Sequence, residues 1–142
     1  MPKRAFIAFT LAVSAAAAGA AGAALQPGEW EIHSVTTSPL FPGGQSAVFK
    51  HCVTPEDAAH PERWMARQSE KGPCVITPVQ RTEDAMTWEV SCPRTNMKGN
   101  GAARLTAPGR VESEMQMAAE VQGYRFQMNT RASARRIGPC KS

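Results

Sequence analysis

The run VESEMQMAAEV (Val111–Val121), the pair Gln122-Gly123, and the run YRFQMNTRAS (Tyr124–Ser133) decide how this chain folds. In the first run Val111, Ser113, Met115, Met117, Ala119 and Val121 alternate with Glu112, Glu114, Gln116, Ala118 and Glu120. Strict period-two alternation marks a strand with one face in a core and the other in water. The second run repeats it, with Tyr124, Phe126, Met128, Thr130 and Ala132 on one face. A two-residue turn sets a hairpin register, and here it places Val121 opposite Tyr124. Glu120 then meets Arg125 and Glu114 meets Arg131, while Ala119 meets Phe126 and Met117 meets Met128. Each opposite-charge pair contributes only ~0.2–1 kcal/mol; their value is that both faces agree on one register.

Working towards the N-terminus, Ala107, Pro108 and Gly109 read as a three-residue turn with Gly109 left-handed. Arg104 then lies opposite Glu112 and Leu105 opposite Val111. A further hairpin spans Cys74 to Cys92. With Thr82, Glu83 and Asp84 as its loop, Arg81 faces Ala85, Pro78 faces Trp88, Ile76 faces Val90, and Cys74 arrives opposite Cys92. Directly opposed β-carbons can be close enough for a disulfide. Four cysteines allow three connectivities; the register selects Cys74 with Cys92 and leaves Cys52 with Cys140. Closing that longer loop stabilises a domain by ~3–5 kcal/mol on the chain-entropy account.

Glu29–Thr37 and Ala47–Val53 read as two more strands, separated by a Pro- and Gly-containing loop over Ser38–Gln45. Thr54 followed by Pro55, Glu56 and Asp57 is a helix start: a capping hydroxyl, proline in the first turn, acids at the positive end. Pro61 limits that helix, and a second short turn runs through Arg63, Trp64 and Met65 to Gln68. The expectation is one mainly β domain, a curved antiparallel sheet or barrel-like meander of about seven strands. It carries a short helical insertion near Thr54–Gln68 and two disulfides.

Ahead of this body, Lys3 and Arg4 precede an apolar stretch from Ala5 to about Ala18, and Ala21 and Ala23 form an A-x-A match. This is the pattern of a secretory signal, with cleavage after Ala23; residues 1–23 are the leader and 24–142 the domain. A retained anchor is the competing reading, but the second half of the stretch is Ala and Gly. No cysteine precedes Cys52, which excludes a lipidated cysteine at the processing site. The leader holds two of the 16 basic residues and no acid, so the net charge falls from +4 to +2 on cleavage. Disulfides persist in oxidising compartments, and the expected location is the periplasm, as a soluble monomer without a membrane anchor or a nucleic-acid partner.

Groupings that would carry chemistry are few. His33, His51 and His60 match no closed zinc pattern, and Cys52 is better used in a disulfide. Met115, Met117 and Met128 share a predicted face and could hold copper(I) through thioether sulfur; the same alternation places them with Val111, Ala119 and Phe126, where methionine is ordinary filling. Of the arginines near the end, Arg125 and Arg131 already face glutamates, leaving Arg135, Arg136 and Lys141 as a basic group for acidic envelope polymers. The chain has no G-x-S-x-G, H-E-x-x-H, phosphate loop or C-x-x-C. No cofactor and no enzymatic activity are expected.

Three segments carry a resemblance: Pro27-Gly28-Glu29-Trp30-Glu31, then Cys52-Val53-Thr54-Pro55-Glu56-Asp57, then Arg135-Arg136-Ile137-Gly138-Pro139-Cys140. With the four cysteines in matching order, the chain resembles the small exported bacterial proteins grouped as domain of unknown function 3617. Glu29 stands where that family commonly has a bulkier residue, and the residue before the last glycine varies. The resemblance implies a periplasmic protein and supplies no activity and no catalytic residues. Within it Trp30 is a candidate ligand contact, although a tryptophan on an alternating strand usually anchors a core; Trp64, on the helical insertion, is the candidate for an exposed contact. The leading expectation is a non-enzymatic envelope binding module, holding a small apolar or amphiphilic ligand or a protein partner on a concave face. A filled interior would exclude the ligand. The rivals are an enzyme or enzyme inhibitor acting on envelope polymers, the inhibitor through Ser38–Gln45, and copper(I) binding through the three methionines.

Overall fold

A computed structural model describes residues 25–141; the proposed leader lies outside them. Seven strands follow in order: β1 (Gly28–Ser38), β2 (Phe41–Val53), β3 (Val75–Arg81), β4 (Ala85–Cys92), β5 (Met97–Ala107), β6 (Arg110–Val121) and β7 (Tyr124–Gly138). Two helices, α1 (Pro55–Ala59) and α2 (Pro61–Lys71), stand between β2 and β3, and a single 3-10 turn (Pro93–Thr95) leads into β5. The strands form one antiparallel sheet in the order β2-β1-β7-β6-β5-β4-β3. It is open, not a barrel: β2 and β3 are its two edges, and the chain crosses between them through α1 and α2.

The β6–β7 register is the one read from the turn, with Val121 on Tyr124, Met117 on Met128 and Glu114 on Arg131. Gln122 (φ 51°) and Gly123 (φ 79°) are both left-handed, the twist-matched geometry a two-residue hairpin prefers. Both bridges form as expected, Cys52–Cys140 with Cα atoms 5.4 Å apart and Cys74–Cys92 with Cα atoms 4.1 Å apart.

Three turns differ from expectation, each because a bulge takes up residues. Arg81 pairs with Met86, not Ala85, and the register shifts between Pro78 and Gln80. That bulge at Val79 absorbs the extra turn residue, so Ile76 still meets Val90. Leu105 meets Val111 as read, but Ala107 pairs with Arg110 across a second shift. The turn is therefore Pro108-Gly109, and the positive-φ glycines are Gly28, Gly44 and Gly123 rather than Gly109. The loop expected over Ser38–Gln45 is mostly strand: Ser38 pairs with Phe41, and the slack is a bulge opposite Thr37.

The helical insertion starts where its sequence says, with the Asp57 N–H donating to Thr54 Oγ1 at 3.1 Å. α1 ends ahead of Pro61 as read, and the short second turn expected through Gln68 is an eleven-residue helix that Pro61 itself opens, as proline in a first turn can. Asp57, buried, pairs with Arg67 and so ties α1 to α2. At the other end the Ile76 N–H donates to Ser69 Oγ at 2.8 Å, fastening α2 to the β3 edge. The apolar core is small: Val90, Cys92 and Met117 are buried together, with Cys74, Ile76, Trp88, Met97, Met115 and Met128 packed around them.

Candidate functional site

Alternation along the strands sends one set of side chains to the face that α1 and α2 cover. Under the helices this layer does not close. A cavity of about 310 Å³ lies between Trp30 and Ile32 of β1, His51 and Val53 of β2, Met86 and Trp88 of β4, Ala103 of β5, Val111 and Ser113 of β6, and Ala134 of β7. Its roof is Asp57, Pro61, Trp64 and Met65, and Leu25 stands at its side. All three tryptophans of the chain therefore line one space.

Each is held in place by a specific neighbour. Trp30 is 2% exposed, and its indole N–H donates to the Gln26 carbonyl at 2.9 Å. It sits opposite His51 in the β1–β2 register, and the His51 ring lies 5.4 Å from the Trp64 ring at a tilt of 55°. Trp88 lies across Gly101 of β5, where a Cβ would overlap its indole. Glycine permits that approach because it has no side chain to place there. The wall is almost wholly apolar, since Asp57 is already committed to Arg67.

The three sequence segments that carried the resemblance meet at this corner. Gly28 lies on Val53 and Glu29 on both Cys52 and Gly138, and the Cys52–Cys140 bridge closes the group. Gly28 is needed there: its φ is +144°, and a Cβ would stand 2.5 Å from both the Gly138 carbonyl oxygen and Arg136 Nε. The motif residues thus build the frame that presents Trp30, Val53 and Asp57 to the cavity.

The other candidates fall elsewhere. Trp64 is half-buried against His51 and turned towards the cavity, rather than projecting into solvent. Arg135 pairs with Glu31 at 3.0 Å, and Arg136 Nε donates to the Pro27 carbonyl at 2.8 Å. Both arginines are thereby engaged at the β1–β7 seam. Glu31 accepts first from His33 and then from Arg135, and these bonds hold its carboxyl below the ordinary range. Met117 belongs to the small core and Met115 and Met128 pack against it. Among the described residues no three His, Cys, Asp or Glu side chains converge as a metal site.

Sequence reasoning missed Trp88, Met86, Met65 and Ala103 as wall residues. The hairpin register had placed Trp88 with Ile76 and Val90 on one face, but no local signal says that this face is the one beneath α2.

The model of the family described as "Protein of unknown function (DUF3617)" matches residues 25–140, and the chain belongs to that family. No curated protein and no solved structure matches it. No helix among the described residues is long and apolar enough to cross a membrane.

Proposed function

We propose that this family member is a non-enzymatic binding module of the bacterial cell envelope that holds a small apolar or amphiphilic ligand between its sheet and its helices. The observation that carries the reading is the convergence of Trp30, Trp64 and Trp88 on one apolar cavity. Ligand sites are typically concave and largely apolar with few polar groups, whereas ordinary interiors are packed with few voids larger than a water molecule. The A-x-A leader and the two disulfides support a periplasmic address.

The test is a titration of the oxidised protein with a neutral naphthyl dye, exciting the tryptophans and reading energy transfer to the dye. Saturable one-to-one transfer, weakened by Trp64→Ala, is the expected result. Absence of saturable binding by a folded sample would remove the proposal.

A protein partner is the second reading, and the two hairpin tips at one end of the sheet favour it. Leu40 and Tyr124 there are 69% and 72% exposed, with Phe41 and Val121 beside them also exposed. Large exposed apolar patches mark interaction surfaces. Recovering a defined companion from a periplasmic extract with wild type but not with Leu40→Asp/Tyr124→Asp would support it.

A further inference from the structure

A second cavity, of about 440 Å³, adjoins the one beneath the tryptophans and shares Leu25, Pro61, Met86, Ala103 and Val111 with it. Its far wall is the β3–β4 turn, with Arg81, Thr82, Glu83 and Asp84. The two together form one continuous hollow, apolar at the tryptophans and charged at the β3–β4 turn, with Leu25 among the residues where they join.

The two ends ask for different chemistry. In the interior, Trp30 donates to Gln26 and Asp57 is spent on Arg67, leaving His51, Ser113 and the indole N–H groups of Trp64 and Trp88 as the polar groups for a guest. A ligand polar along its length would lose more hydrogen bonds to water there than these few groups can replace. At the mouth, Arg81 is held by Glu62 at 2.6 Å and donates to the Ala59 carbonyl at 3.0 Å. Burial opposes the ionised Glu62 carboxylate, but its own backbone N–H, Arg81 and His60 together hold its carboxyl below the ordinary range. Glu83 and Asp84 add two further carboxylates, so the mouth carries charges of both signs.

We propose that the ligand is a long-chain amphiphile, its chain threaded past Leu25 to lie beneath the tryptophans and its head group left among Arg81, Glu83 and Asp84. The proposal rests on the cavity being a ligand site. It adds a direction of entry and a dependence on chain length, because each buried methylene contributes a roughly constant increment of affinity.

The experiment titrates the oxidised protein with lysophosphatidylcholines of increasing chain length, each below its micelle concentration, reading intrinsic tryptophan emission. Affinity should tighten by about fourfold for each added methylene until the cavity is filled, and then level off. Leu25→Trp should bring the plateau to a shorter chain and Leu25→Ala should not, with thermal melts confirming that both variants fold. The naphthyl dye supplies the separate control. Dye binding with no chain-length dependence overturns the amphiphile and leaves the cavity reading standing; loss of both overturns both. A plateau unmoved by Leu25→Trp also overturns the proposed path.

Discussion

Ala103→Leu tests whether the space beneath the tryptophans is available. Ala103 lies on β5 between Met86 of β4 and Ser113 of β6, and its methyl group lines both cavities. Leucine adds three carbons. Burying them at about 0.8 kcal/mol each gives about 2.4 kcal/mol, and fixing the leucine rotamer costs about 0.5–1 kcal/mol. The net gain is about 1.5 kcal/mol, which raises the melting temperature by about 6 °C in a domain of this size. The same carbons occupy space a guest would use, so dye affinity should fall by about tenfold or more, a loss of at least about 1.4 kcal/mol. Calorimetry and the dye titration on one preparation measure both. Opposite signs are the signature of a site left unfilled. If Ala103→Leu instead destabilises by about 1–3 kcal/mol, the cost of overpacking a full core, the cavity is not there to be filled.

Further outcomes follow from the frame around it. Removing Cys52–Cys140, whose partners are 88 residues apart, should cost about 4.6 kcal/mol, and removing Cys74–Cys92, 18 residues apart, about 3.2 kcal/mol. Cys92 is 4% exposed in the core, so its loss adds a packing cost of about 1 kcal/mol that narrows the difference without reversing it; urea melts of the two double-alanine variants giving the opposite order would refute this. Gly101→Ala should destabilise by about 1–3 kcal/mol and shift tryptophan emission, because its methyl group must displace Trp88; unchanged emission and stability would contradict the stacking. Glu31 is depressed in the folded state by His33 and Arg135, so its contribution is present above its unfolded pKa and lost as pH falls through the folded one. Below about pH 4 the wild type should therefore lose stability more steeply than Glu31→Gln, and parallel acid limbs would count against the pairing.

Much of the sheet was legible because its signals are local. Gln122-Gly123 fixes β6–β7, and alternation on both sides of it confirms the count. The bulges at Val79 and near Thr106 were not legible, since a bulge sets two residues against one without changing the composition. Pro61 was read correctly as the limit of the first helix, but the length of the second was not legible, because the ring that stops one helix also suits the first turn of the next. The site was hidden by a different circumstance. Trp30 comes under Trp64 and level with Trp88 only after β1 pairs with β7 and the helices cross from one sheet edge to the other. Those pairings join residues a hundred positions apart, and no turn between them announces the register.

No side chain in the described body is less than 2% exposed. The frame is carried instead by main-chain ladders and two covalent ties, neither of which depends on what Ile32, Met86 or Val111 happen to be. Exchanges among these wall residues leave that frame standing while they change the shape of the cavity. The lining of the cavity can be recut while the ladders and bridges around it hold.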